Sequence, residues 1–148
     1  MRKLIQATLI AAVLAIPSAW AQDASPVGLW KSIDDESGQP KSLIRITEEQ
    51  GQLQGKIEKL FRPADQDQNP KCDKCEGARK GQPIIGMVIL SGLKKDGNEY
   101  KGGEITDPAN GKTYRSKAKL LDGGKKMEVR GYIGAPMFGR SQTWVREQ

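Results

Sequence analysis

Residues 112–133 read KTYRSKAKLLDGGKKMEVRGYI. In residues 112–121, apolar or small side chains alternate with polar ones, and this period of two predicts a β-strand with one buried face. The turn Asp122-Gly123-Gly124 interrupts the pattern, which then resumes in the residues Met127, Val129, Gly131 and Ile133. The stretch therefore predicts an antiparallel hairpin that presents an apolar face to a core.

Short strands separated by turn residues extend in both directions from this hairpin. Strong hairpin signals stand at residues 95–98 and 110–111, where Asn or Asp lies next to Gly. We predict eight strands, although the run at 84–90 is apolar on both faces and also fits a helix. Their predicted ranges are 27–33, 41–47, 53–57, 84–90, 99–106, 112–121, 126–133 and 140–146.

Eight sequential antiparallel strands predict an all-β fold, an up-and-down barrel whose closure removes exposed sheet edges. A two-sheet sandwich is the rival architecture. A barrel of eight strands is just wide enough to be filled by side chains or to hold one small ligand.

The N-terminus has the pattern of a cleaved export signal. Arg2 and Lys3 precede an apolar run at residues 4–16, and Ala19-Trp20-Ala21 supplies small residues at both positions of a cleavage site. The run is shorter than the about 20 residues of a membrane-spanning helix. We therefore predict residues 1–21 to be a signal peptide cut between Ala21 and Gln22. The mature protein is then periplasmic or secreted and is not an integral membrane protein.

The rest of the chain, residues 22–148, has the length of a single domain. The chain contains no histidine, which excludes Ser-His and Cys-His catalytic pairs and imidazole ligands to zinc or haem. We predict no catalytic residue, metal or cofactor, and therefore a protein that is not an enzyme. Removal of Arg2 and Lys3 with the signal peptide lowers the net charge from +6 to +4. An anionic envelope component is a better candidate partner for this excess than nucleic acid, because an exported protein rarely meets nucleic acid. A solvated surface without a partner is the alternative.

A long polar loop at about 62–82 contains Cys72-Asp73-Lys74-Cys75. A zinc site needs two further ligands that the chain lacks, and a redox pair normally opens a helix after a strand. We predict a structural disulfide between Cys72 and Cys75, and a thiol-redox role is the distant alternative.

The same loop carries acidic residues at the spacing of a calcium-binding EF-hand, but Pro70 occupies the sixth position, where glycine makes the sharp turn. This spacing leaves ion binding by the loop undecided. The residues in question are Asp65, Asp67, Asn69, Asp73 and Glu76.

Gly28-Leu29-Trp30, in the first predicted strand, resembles the Gly-x-Trp signature of lipocalins. The resemblance implies that Trp30 packs beneath the barrel and that a late arginine stacks on it. Arg146, which follows Trp144 and Val145, is placed for that role. All of these positions are structural, so the signature implies a fold and no ligand.

Longer motifs across the chain resemble the uncharacterised exported bacterial proteins grouped as domain of unknown function 2147. The resemblance implies a lipocalin-like barrel in a Gram-negative envelope, and it brings no activity or binding residues. The motifs are GLWK at 28–31, NPKCDKC at 69–75, PIIGM at 83–87, DPANGKTY at 107–114, VRGYIG at 129–134 and GRSQTW at 139–144.

Two functions remain open. The first is a small binding protein for an apolar or amphiphilic ligand, held by inward-facing side chains. We predict these to be Ile57, Tyr114, Met127 and Val129, with the small residues Ser116, Ala118 and Gly131 leaving space inside. The second is an interaction module that uses a basic outer face, formed by Arg115, Lys117, Lys119, Lys126 and Arg130.

Overall fold

The structure is a computed structural model and describes residues 24–148; the predicted signal peptide and its cleavage site lie outside this range. Each strand pairs with its neighbours in the chain, and the last strand pairs with the first to close a barrel. The predicted eight-stranded antiparallel barrel is thus confirmed. Its strands are β1 (Gly28–Ile33), β2 (Pro40–Glu49), β3 (Gln52–Leu60), β4 (Val88–Asp96), β5 (Glu99–Asp107), β6 (Lys112–Leu121), β7 (Lys126–Tyr132) and β8 (Gly139–Arg146).

The fourth strand differs from its prediction at residues 84–90. It begins at Val88 and continues to Asp96, where the polar residues 94–96 pair with the start of β5. The apolar segment before it is irregular: Gly86 N donates to Ile57 O at 2.7 Å, and Ile57 N donates to Met87 O at 3.0 Å. Within this segment Met87 is buried, Ile84 is partly buried and Ile85 is exposed, so its apolar character did not mark a strand. Cross-strand pairing set the limits of β4.

One end of the barrel is closed by Trp30 and Arg146. The fully buried indole of Trp30 donates its Nε1 hydrogen to Pro26 O at 2.8 Å. The Arg146 guanidinium stacks 4.3 Å from the Trp30 ring centroid and donates to Gly124 O at 2.7 Å. It also donates to the carbonyls of Val27 and Ser25. One side chain thereby joins β8, the β6–β7 turn and the segment before β1.

Gly28 is required at the same end. Its φ is +144°, and a Cβ atom there would lie 2.3 Å from the carbonyl oxygen of Gln148. The close approach lets Leu29 exchange backbone hydrogen bonds with Gln148 and Glu147. These contacts explain the Gly-x-Trp signature. The glycine allows the C-terminal chain to approach closely, and the tryptophan fills the base of the barrel.

The main core cluster takes buried apolar side chains from seven of the eight strands and from the disulfide loop. The remaining strand, β5, packs the partly buried Tyr100 and Ile105 against it. The largest fully buried members are Trp30, Ile44, Ile46, Leu90, Leu93, Met127 and Trp144.

Candidate functional site

The opposite end of the barrel opens into a cavity of about 1150 Å³. Four connections surround its mouth, at residues 34–39, 61–87, 108–111 and 133–138. The deep wall is apolar, and its members are Ile44, Ile57, Ile89, Ile105, Val129 and Trp144. A mostly apolar cavity with a few polar groups at its rim has the form of a small-molecule site.

Small residues form part of the cavity wall. Gly131 lines it with Ile105 and Tyr114 packed beside it, and Ser32 and Ser42 line it on β1 and β2. The two serine hydroxyl groups are hydrogen-bonded to each other, with their oxygens 2.7 Å apart. In addition, Ser42 N donates to Ser32 Oγ at 3.1 Å. This wall therefore offers a ligand little free hydrogen-bonding capacity.

Three polar side chains line the cavity nearer its rim, namely Asn110, Tyr114 and Gln142. Tyr114 Oη accepts a hydrogen bond from Asn110 Nδ2 at 2.9 Å, which leaves its own hydrogen available. Gln142 Oε1 accepts from Trp144 Nε1 at 3.3 Å, and its amide group has no other partner among residues 24–148. These groups can meet the polar end of a guest.

The structure places three of the four predicted ligand-binding residues on the cavity wall, namely Ile57, Tyr114 and Val129. Met127 faces the barrel interior as predicted but does not line the cavity, and its role as a ligand contact stays a prediction. It is fully buried, opposite Leu120 and Trp144 in the sheet, one inward position nearer the closed end than Val129. Met127 belongs to the packed core, whereas its neighbour Trp144 also lines the cavity.

The space expected beside Ser116 and Ala118 is also filled. Ser116 pairs with Gly103 of β5, and Leu93 Cγ lies 2.7 Å from the point that a Gly103 Cβ would occupy. A bulky residue of β4 thus covers the small ones. Ser116 Oγ is the one buried side-chain oxygen or nitrogen within residues 24–148 that has no hydrogen-bond partner.

Several cavity residues were missed by the sequence interpretation. Ile44 and Ile105 lie at alternating positions of predicted strands, so the period of two marked them as inward without showing that they border a cavity. Ile89 lay within the run predicted at 84–90, but that run is apolar on both faces, so its pattern did not show which side chains face inward. Trp144, predicted as purely structural, is fully buried and contributes to the cavity wall.

The predicted disulfide between Cys72 and Cys75 is confirmed. Both residues are buried and belong to the main core cluster. Cys72 N donates to Gln82 O at 2.8 Å, and Gly81 N donates to Cys72 O at 2.9 Å, so the loop folds back on itself. Thiol–disulfide exchange requires access of an attacking thiolate to sulfur, and burial of this pair removes that access.

The disulfide loop lies against the β5–β6 turn. A Cβ atom on Gly111 would fall 1.8 Å from the Lys74 carbonyl oxygen, so only glycine permits this contact. Because Pro70, Lys71, Asp73 and Lys74 all line the cavity, the loop forms part of its mouth. Within the described part of the chain, the acidic residues of this loop join no group of three or more potential metal ligands.

At the rim of the cavity, a charged contact joins Arg140, at the start of β8, to the β1–β2 connection of the neighbouring strand. Arg140 Nη2 lies 2.7 Å from Asp35 Oδ2 and 3.2 Å from Glu36 Oε1. The hydrogen bond to Asp35 raises the pKa of the Arg140 guanidinium above its usual value. Beside it, the β7–β8 connection exposes 67% of Ile133, 76% of Met137 and 67% of Phe138, which gives the mouth an apolar edge.

The predicted basic face is less free than its sequence suggests. Lys117 Nζ lies 3.7 Å from Glu99 Oε1, and Lys119 stands opposite Glu128. Arg130 donates to Pro136 O at 2.6 Å and to Ser141 Oγ at 2.9 Å, and so supports the β7–β8 connection. Only part of this row remains for an anionic partner.

The closed barrel, its tryptophan–arginine base and its open apolar cavity define a lipocalin-like protein. A solved structure of protein HP1028 from Helicobacter pylori, described as belonging to the lipocalin family, superposes with a TM-score of 0.70. The two chains share 20% identity over 84% of each chain. This likeness concerns the fold.

The chain belongs to DUF2147, a family of uncharacterised proteins conserved in bacteria, whose sequence model matches residues 28–146. The resemblance drawn from its motifs is thereby confirmed. A comparison with curated protein sequences found no significant match. No helix within residues 24–148 has the length and apolar character needed to cross a membrane.

Proposed function

We propose that this protein is an exported, non-enzymatic carrier that holds one apolar or amphiphilic small molecule in its barrel. The observation that carries the proposal is the cavity of about 1150 Å³ with its apolar deep wall. Ligand pockets commonly measure about 300–1,000 Å³, so the volume suffices for one such molecule. Its lipocalin-like fold supports the same function.

The direct test is binding of N-phenylnaphthylamine, a neutral apolar dye whose fluorescence rises in apolar surroundings. Val129→Trp places a large side chain in the cavity, and we expect it to reduce dye binding at least tenfold. Glu128→Trp adds the same bulk to the outer face of β7 and serves as the control. Thermal melts of both variants show whether the barrel remains folded. Equal dye binding by folded Val129→Trp and the wild type would refute the carrier function.

The natural ligand is best sought by native mass spectrometry of protein taken from its own periplasm. The same spectra test export: we expect the mature chain to begin at Gln22, because Ala19 and Ala21 form a cleavage site. An uncleaved chain retained in the membrane fraction would contradict the proposed location.

A further inference from the structure

The β7–β8 connection, residues 133–138, exposes a cluster of apolar side chains at the mouth of the barrel. Its sequence IGAPMF contains no charged residue. Ile133, Met137 and Phe138 are the three most exposed large apolar side chains within residues 24–148, and we call them the apolar tip. Exposed apolar residues are ordinarily scattered singly, whereas a cluster on one short segment marks an interaction surface.

The apolar tip is continuous with the cavity. Ile133 and Phe138 line the cavity as well as being exposed, while Met137 does not line it. The apolar lining of the barrel therefore continues outward through Ile133 and Phe138 to Met137. A partner that covers the apolar tip stands directly at the entrance to the cavity.

The backbone beneath the apolar tip is already hydrogen-bonded. Ile133 N donates to Phe138 O at 3.1 Å, and Phe138 N donates to Ala135 O at 2.9 Å. Pro136 has no N–H group, and its carbonyl accepts from Arg130 Nε at 2.6 Å. Backbone groups that lack a partner are costly in an apolar layer, so these bonds lower the cost of moving the loop out of water.

Two cations flank the loop, and no carboxylate binds either of them. Arg130 donates to two backbone carbonyls and to Ser141 Oγ, which are all neutral. Arg115 is exposed and pairs across the sheet with Tyr132, the residue before the loop. Glu104 stands opposite Arg115 on β5 but forms no ion pair with it. An uncharged apolar tip between two such cations complements a surface that is anionic outside and apolar beneath.

We infer that the apolar tip inserts into the surface of a lipid bilayer that contains anionic lipid, with Arg115 and Arg130 at the level of the phosphates. Interfacial binding of proteins combines these two elements, apolar side chains at the boundary of the acyl chains and cations on anionic headgroups. A protein partner fits less well, because a specific interface usually takes about 20–30 residues from each side and this loop is far shorter.

Docking in this way goes beyond the carrier function and does not depend on it. It turns the mouth of the barrel toward the acyl chains. An apolar molecule can then pass between the bilayer and the cavity without crossing water.

The first test is cosedimentation with vesicles of phosphatidylcholine alone and of an equal mixture with phosphatidylglycerol. We expect the wild type to bind the mixed vesicles several-fold more tightly. Met137→Asp should weaken this binding about tenfold or more, because it removes buried apolar surface and adds a charge at the bilayer. Val27→Asp is the matched control, since Val27 is an exposed apolar residue whose carbonyl is bound by Arg146 at the closed end.

The contribution of charge is tested separately. Arg115→Gln should weaken binding to the mixed vesicles about fivefold, the effect of one cation near an anionic surface, and leave binding to phosphatidylcholine unchanged. Lys56→Gln removes the same charge from an exposed position on β3, away from β6 and β7 in the strand order, and should have little effect.

The second test reports the orientation on the bilayer. The chain has only two cysteines, Cys72 and Cys75, and both are in the disulfide, so Met137→Cys can be labelled selectively with a nitrobenzoxadiazole dye. The dye fluorescence should rise several-fold when mixed vesicles are added. The same dye on Val27→Cys should not respond.

The outcomes separate docking from carriage. Absence of vesicle binding, or an equal rise of fluorescence at positions 137 and 27, would overturn the docking and leave the carrier function standing. Dimers that form in place of vesicle binding, and that Met137→Asp dissociates, would overturn it in favour of a second copy of the chain. Without vesicles, Met137→Asp should bind N-phenylnaphthylamine like the wild type, because Met137 does not line the cavity. Vesicle docking by a wild type that takes up no dye would support the docking and refute the carrier function.

Discussion

The guanidinium carbon of Arg146 lies 4.3 Å from the centroid of the Trp30 ring, at the end of the barrel away from the cavity. Trp30 and Arg146 are also paired directly across the β1–β8 ladder that closes the barrel. The same two side chains therefore cover the base and join the first strand to the last. The contacts that close the barrel and the open cavity therefore lie at opposite ends of the molecule.

Arg146→Met should destabilise the fold by about 2–3 kcal/mol, because it removes the stacking contact and hydrogen bonds to backbone carbonyls. For a domain of this size, the melting temperature should fall by about 10 °C. Thermal unfolding followed by circular dichroism measures the change. The affinity for N-phenylnaphthylamine should stay the same below the transition, and a selective loss of binding would contradict the division between the two ends.

Gly111→Ala should displace the disulfide loop from the β5–β6 turn. The residue has φ +73°, and a Cβ there would overlap the Lys74 carbonyl. We therefore expect the free energy of unfolding to fall by about 3 kcal/mol. Gly97→Ala is the matched control: its φ is +64°, and a Cβ there meets nothing within 4 Å. Gly97→Ala should lower the free energy of unfolding by about 1 kcal/mol, from backbone strain alone. Equal effects in urea unfolding would show that the loop contact is dispensable.

Replacing both Cys72 and Cys75 by alanine should loosen the cavity mouth while the barrel stays closed. Opening so short a loop costs roughly 2 kcal/mol on the chain-entropy model. Hydrogen exchange should show protection lost at residues 70–84 and retained in β6 and β7. Probe affinity should fall because the loop lines the cavity. Loss of folding would mean that burial of the disulfide contributes to the core far beyond this loop.

Arg140→Gln should speed ligand release, since it breaks the contact with Asp35 and Glu36 that holds the β1–β2 connection at the rim of the cavity. We expect dissociation of N-phenylnaphthylamine to become a few-fold faster in stopped-flow measurements. The stability should change little, as is usual for exposed ion pairs. Arg45→Gln breaks a similar pair with Glu58 on the outer wall and should leave the rate unchanged. Equal rates in both variants would exclude a role for Arg140 in retention.

The Arg45–Glu58 pair should give a small pH dependence of stability. The hydrogen bond from Arg45 lowers the pKa of Glu58 below its model-compound value of 4.5. A carboxyl whose pKa is lowered by folding stabilises the native state above the unfolded pKa, and loses this contribution as the pH falls through the folded value. Arg45→Gln should move the pKa of Glu58 up toward 4.5, as measured by carbon NMR titration. An unchanged pKa would mean that the pair is not formed in solution.

Most of the fold was predictable because its signals are local. The period of two in residues 112–121 and 126–133 predicted both strands and the faces that they bury. The turn signal at Asn110-Gly111 predicted that the first of these strands pairs with the strand before it. The limits of β4 were not predictable in this way. Its polar end, residues 94–96, is a strand because it pairs with β5. The hairpin signal at 95–98 marked the turn, but these polar residues have no apolar alternation to mark them as a strand.

The sequence by itself determined that the chain forms eight strands, that no histidine chemistry is available, and that Gly28, Trp30 and Arg146 suit a lipocalin base. Only the tertiary structure decided where the space lies. Small residues at Ser116 and Gly131 look alike in the strand pattern, yet Leu93 covers the site beside Ser116, while Gly131 lines the cavity with Ile105 and Tyr114 packed beside it. The free volume inside a barrel depends on which side chains from other strands lie at the same position along the barrel axis. Alternation along one strand shows which residues face inward, and it cannot show what they meet there.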